Sequence, residues 1–284
     1  RDRPSPSRTP DTKLMKLLPR SLMALAMKGL LAASLLGSAA SLRRNSPSED
    51  SACDCLNFRE VYKSKRASCG DGYEFYEATR RGLSFVQAKE MMEHPFCYRF
   101  FLHFNETYCV NRAQDFDSNI GQWCYVSKEC ASATPANGTS ELRVKVCEEG
   151  RDKMLRDLPI KDIAPLANRT NVEMGLALRL AYLGAGQSVF WDQARPIFKS
   201  TDRAEALKMS RASSTSSKKT AAIMQKLAGI AIPVVIGSED GFAPYGVVKG
   251  FEAWELREND FKLIAHLTKP SKMTRLVCLS GCSE

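Results

Sequence analysis

Ten cysteines constrain this 284-residue chain more than any other feature: Cys53, Cys55, Cys69, Cys97, Cys109, Cys124, Cys130, Cys147, Cys278 and Cys282. Eight fall between 53 and 147, and none falls between 148 and 277. An even number clustered in so short a stretch reads as a disulfide framework, with on the order of a hundred ways to pair the eight. Structural zinc calls for cysteine pairs with two to four residues between them, or histidines with three to five between them. Within the 53–147 cluster the close pairs are Cys53-x-Cys55 and Cys124-x5-Cys130, and the chain's three histidines, His94, His103 and His266, are widely spaced. No metal and no cofactor is expected. Cys-x-x-Cys, the thioredoxin-like redox motif, is also missing. A bond across the single residue between Cys53 and Cys55 would violate disulfide geometry, so the two are expected to take different partners. Cys278 and Cys282 either close on each other or reach back to the cluster, where a longer closed loop would restrict the unfolded chain more.

The compartment follows from the residues before the cluster. Residues 1–14 are polar and proline-rich and read as an unstructured or artefactual N-terminus. Residues 15–40 have a positive start (Lys16, Arg20), an apolar run from Leu22 to Leu36 broken by Lys28, and then Gly37-Ser-Ala-Ala-Ser41. That is the layout of a secretory signal peptide, with cleavage after Ala39 or Ala40. The alternatives are an uncleaved segment anchoring the protein in a membrane and a plastid route through the secretory system. A span needs about 20 apolar residues, and Lys28 shortens this one. The residues after the signal are too few and too acidic (Glu49, Asp50) for a transit peptide. No later segment is long and apolar enough to cross. Residues 1–40 carry +5 of the formal +9 charge, so the remainder is mildly basic and shows no basic stripe interleaved with aromatics; no nucleic-acid partner is expected. Sequons at Asn105, Asn137 and Asn168 make the chain a candidate glycoprotein.

Past a polar, disordered-looking leader at 41–52, the Cys-rich domain covers 53–149. Short helices are expected over 72–80 and 85–93, and Phe96, Phe100 and Phe104 fall on one helical face and point to a core. Residues 141–147 alternate as a half-buried strand does. Residues 150–199 read as a helical segment, with Thr170-Asn-Val-Glu173 as a capping box and Gly184 as a stop. Residues 200–220 are a low-complexity linker. In the small α+β region at 221–284, a short helix is expected over 221–227. Strands follow at 232–237, 245–250, 251–256 and 274–279. The fold class is therefore α+β: a disulfide-rich N-terminal domain with short helices, a helical segment, and a small, mostly antiparallel C-terminal sheet.

Two resemblances attach to these residues. The stretch from Glu106 to Val126, with Tyr108-Cys109, Asn111, Asp115-x-Asp117 and Trp123-Cys124-Tyr125, resembles the inner-loop core of kringle modules and, more loosely, fibronectin type II modules. The resemblance implies a lysine-binding groove in which Asp115 and Asp117 take the ammonium while Trp123 and Tyr125 hold the aliphatic stem. Read from the residues alone, Trp123 instead packs on the disulfide core and the Asp pair sits in a solvated turn. The Cys109–Cys124 gap is longer than in kringles, and Cys130 comes early. The second resemblance covers nearly all of the chain after residue 52. "CDCLNFREVY", "SCGDGYEFY", "FCYRFF", "YCVN", "GQWCYVSKEC", "KMLRDL" and "LVCLSGC" look like a family of secreted Cys-rich proteins of dinoflagellate-type protists. That resemblance implies secretion but no activity or site.

The function these features point to is a secreted, disulfide-stapled, non-catalytic binding or structural protein, its partner an extracellular glycan or protein of unknown identity. The alternatives are a secretory-pathway enzyme and a kringle-like lysine-binding module. Against the enzyme, the sequence holds no Gly-x-Ser-x-Gly elbow, His-Glu-x-x-His, Walker loop or dinucleotide fingerprint. The one conceivable acid–base set pairs His103 with Asp115 or Asp117.

Overall fold

A computed structural model describes residues 49–113, 121–186, 189–199, 231–239, 245–258 and 274–282, with Gln225 and Gly229. The expected signal segment, the 200–220 linker, most of the 221–227 helix, His266, Asp115 and Asp117 lie outside the described residues. Residues Ser46–Glu284 form one compact unit.

The Cys-rich part is built from short helices around a small sheet. α1 (Glu49–Ala52) is one turn at the end of the leader. α2 (Phe58–Lys63) starts at Asn57, whose side chain accepts the Glu60 N–H. α3 (Tyr76–Arg80) is shorter than the sequence signal, and α4 (Phe85–Met92) carries a Ser84–Gln87 capping box. The chain continues as a π-helix over Glu93–Phe101. Pro95 lies in this run and has no backbone donor to give. Phe96, Phe100 and Phe104 are all buried as their spacing predicts, with Phe100 and Phe104 stacked at 4.5 Å. Strands β1 (Val110–Asn111), β2 (Gln122–Ser127), β3 (Thr134–Pro135) and β4 (Leu142–Val146) form an antiparallel sheet in the order β1-β2-β4-β3. Trp123 pairs with Val146 and Tyr125 with Val144.

A 3-10 turn (Leu155–Asp157) leads to α5 (Ile160–Thr170) and α6 (Met174–Ala181). The expected capping box is not formed. Thr170 belongs to the last turn of α5, where its hydroxyl bonds the Leu166 carbonyl, and Asn171 ends that helix in the left-handed region at φ 59°. Glu173 is itself the cap of α6, its carboxylate accepting the Gly175 and Leu176 N–H groups. Its negative charge suits that helix end. Gly184, read as a helix stop, lies with Leu183 in strand β5 (Leu183–Gly184).

The second sheet has the order β5-β6-β7-β8-β9, with β6 (Val234–Ile236), β7 (Tyr245–Lys249), β8 (Glu252–Glu258) and β9 (Thr274–Ser280). All its pairings are antiparallel except β5 with β6. Its strands alternate between two cores. Val235, Val247 and Leu256 join the large core that starts at Cys53 and takes in α5 and α6. Val234, Ile236, Val248 and Ala253 pack with Trp191, Ala194, Ile197 and Phe198 of α7 (Trp191–Lys199). Gly246 is a glycine because the Trp191 ring lies where its Cβ would sit. Trp191 Nε1–H donates to the buried Glu255 carboxylate at 3.0 Å, and Arg195 and Arg257 pair with the same group. Burial pushes this carboxyl up, but the Trp191 and Arg257 hydrogen bonds and the two guanidinium charges outweigh it and hold it below the usual range.

Candidate functional site

The cysteines account for themselves completely. The bonds are Cys53–Cys130, Cys55–Cys124, Cys69–Cys97, Cys109–Cys147 and Cys278–Cys282, and no cysteine is free. Cys53 and Cys55 take different partners, and the C-terminal pair closes on itself. Two of the bonds lie side by side. The Sγ atoms of Cys55, Cys109, Cys124 and Cys147 all fall within 4.8 Å of one another, with Cys55 and Cys109 at 3.3 Å. These four sulfurs have the proximity of a metal-ligand set, but each is bonded to another sulfur, and the species that ligates is the free thiolate.

Trp123 and Tyr125 stand on β2, which is covered on both faces, and each is fully buried. Around the Trp123 ring lie Tyr125 at 5.1 Å, Phe58 at 5.2 Å, Tyr73 at 5.6 Å and Phe101 at 6.0 Å. The groove that the kringle-like stretch implies therefore loses its aromatic floor. The rings fill the core beside Cys124 and offer no face to a lysine. The proposed acids, Asp115 and Asp117, are among the residues not described, so the pairing of His103 with either acid involves those same positions.

A site with no signature in the sequence adjoins those rings. Glu74 lies in the turn before α3 and is 5% exposed. Its carboxylate accepts hydrogen bonds from Tyr62 Oη, from Tyr125 Oη at 2.7 Å and from the Gly72 N–H at 2.9 Å. All three donors are neutral. Burial pushes the Glu74 carboxyl above its ordinary value, with the hydrogen bonds pulling the other way. Burial, followed by the charge of Glu74, pushes the Tyr62 and Tyr125 phenols up. A raised carboxyl is a common mark of an acid–base catalyst. Here the adjoining cavity, which Glu74 lines with Tyr73, Phe101 and Arg112, measures about 10 Å³ and is no larger than a water molecule. Through these bonds Glu74 knits α2, the α3 turn and β2 together. A second buried set joins the two parts of the chain. Gln122 Nε2 donates to Asn111 Oδ1 and to the carbonyls of Leu180 and Ala181 at the end of α6.

A cavity of about 200 Å³ lies beside Cys53, between the β3–β4 edge and residues 148–152. Its charges cancel locally. Lys145 Nζ bonds Asp152 at 2.7 Å and the Cys53 carbonyl at 2.6 Å, and Arg151 pairs with Glu148. Among the described residues no helix is long and apolar enough to cross a membrane. Compared with known proteins, the chain matches no family model, no curated protein and no solved structure.

Proposed function

We propose that this is a secreted, disulfide-stapled protein that acts as a binding or structural module and not as a catalyst. The observation that carries the reading is the complete pairing of eight cysteines around one core, across sequence separations of 77, 69, 28 and 38 residues. Bonds of this kind persist in oxidising compartments and are reduced in the cytosol. The sequon asparagines support it. Asn105, Asn137 and Asn168 are all exposed, and Asn105 uses Oδ1 to accept from Asn57, leaving the nitrogen that carries a glycan. The buried titratable groups support the non-catalytic part, because Glu74 and Glu255 are consumed in hydrogen bonds inside the protein.

The full chain expressed in a secreting eukaryotic cell is expected in the medium. It should shift in mass on glycosidase treatment and be lighter than its fully reduced form by two hydrogens for each of the five bonds. Retention in the cytosol, unglycosylated and with thiols open to alkylation, would overturn the proposal.

A further inference from the structure

The five disulfides are not equivalent. In four of them at least one cysteine is sealed in the core: Cys130 and Cys124 at 0% exposure, Cys97 at 2% and Cys109 at 0%. Cys278–Cys282 is the exception. Cys278, on β9, is exposed and Cys282 is half-buried. The bond spans only four positions in sequence, so it restricts the unfolded chain least of the five and adds least to the fold. β9 already pairs with β8 from Thr274 to Ser280, so its place in the sheet does not depend on that bond.

We infer that Cys278–Cys282 is a reversible thiol–disulfide exchange site, opened by a small thiol of the glutathione class while the other four bonds stay closed. This goes beyond the binding or structural reading and holds in any compartment where the bond forms. The two sulfurs have different surroundings, which sets the direction of the reaction. Cys282 Sγ lies 3.4 Å from the carbonyl oxygens of both Ala253 and Ser280. These acceptors stabilise a protonated thiol there, which slows re-closure once the bond is open but makes Cys282 the poorer leaving group, so access decides which sulfur is attacked. Cys278 faces solvent and is the sulfur an incoming thiolate meets first.

In the first step the thiolate attacks Cys278 Sγ, a mixed disulfide forms, and the Cys278–Cys282 bond breaks. The electron pair leaves on Cys282 Sγ, which takes a proton from water and donates it toward the Ala253 or Ser280 carbonyl. A second thiolate attacks the small-thiol sulfur of the mixed disulfide and leaves Cys278 as the thiol. Two small thiols are oxidised to one disulfide, and the protein bond is reduced by the same two electrons.

The test is staged reduction of the native, oxidised protein with glutathione. Samples are quenched by alkylation and mapped by peptide mass, while near-ultraviolet circular dichroism follows the core. Cys278 and Cys282 are expected to become alkylated roughly tenfold or more ahead of the other eight, with the aromatic signal unchanged. In single variants treated with oxidised glutathione, where one glutathione is transferred and the other leaves as its thiolate, Cys282→Ser should be glutathionylated on Cys278 roughly tenfold faster than Cys278→Ser is on Cys282. If another bond opens first, or all five open together as the aromatic signal collapses, the inference fails. Equal glutathionylation of the two variants would overturn the assigned direction of attack.

Discussion

Trp123→Ala is expected to lower the unfolding free energy by about 3–5 kcal/mol, the range for emptying a fully buried tryptophan site. The site has little room to collapse. Four aromatic rings surround the indole, the backbone of Gly72 lies close to the outer end of its benzo ring, and Cys124, the next residue, is fixed to Cys55. Such a loss is a large share of the stability of an ordinary domain. Guanidinium denaturation of the oxidised protein reads it as a fall in midpoint at unchanged slope. Phe85→Ala is the control, because Phe85 is 50% exposed and its loss should cost well under half as much. Equal losses for the two variants would mean that Trp123 is not at the centre of the core. The indole N–H has no hydrogen-bond partner among the described residues, so Trp123→Phe removes an unsatisfied donor with the lost ring. It should cost less than the alanine change.

The Glu74 cluster gives the second large effect. Glu74→Leu leaves two buried phenol donors and the Gly72 N–H without their acceptor, a cost on the order of 3–5 kcal/mol. Adding Tyr62→Phe and Tyr125→Phe removes both orphaned hydroxyls and should recover a substantial part of that loss, since apolar replacement of all partners approaches neutrality. The pH dependence has a definite sign. The folded carboxyl is raised above its ordinary value of 4.5, so between those two values the native state holds more protons than the unfolded chain. This group's contribution is then full below 4.5 and is lost as pH rises through the folded value. Glu255 runs oppositely. Its folded value is lowered, so its contribution is present above the ordinary value and is lost as pH falls through the folded one. Subtracting the stability of Glu74→Gln from that of the wild type isolates the first term, and the difference should decline as pH rises above 4.5. A flat difference would contradict the assignment of a buried, raised carboxyl.

How much was legible in the sequence depended on how local the deciding contacts were. The apolar, β-branched runs around Val235, Val247 and Val277 announced strands β6, β7 and β9, because a sheet face selects those residues directly. Separate partners for Cys53 and Cys55 followed from disulfide geometry. Which partners they take did not, because the choice rests on strand β2 and the turn after it bringing Cys124 to Cys55 and Cys130 to Cys53 from 69 and 77 residues away. Trp123 and Tyr125 show the limit most plainly. Aromatics beside an acid pair fit a ligand groove or a core equally well, and only the elements covering both faces of β2 decide it. Thr170-Asn-Val-Glu173 has the letters of a capping box, but α5 runs through Thr170, and the boundary belongs to the left-handed Asn171. Glu74 gave no signal because its partners, Tyr62 and Tyr125, lie 12 and 51 residues away.

The measurement that bears most directly on the covalent framework is disulfide mapping of the native protein, by proteolysis without reduction and mass analysis of the joined peptides. The structure requires Cys53 with Cys130, Cys55 with Cys124, Cys69 with Cys97, Cys109 with Cys147 and Cys278 with Cys282. The clustered sulfurs make the second and fourth pairs the severest part of the test. Cys55 joined to Cys109, or free thiols among Cys55, Cys109, Cys124 and Cys147 in the native protein, would contradict the framework on which the core is built.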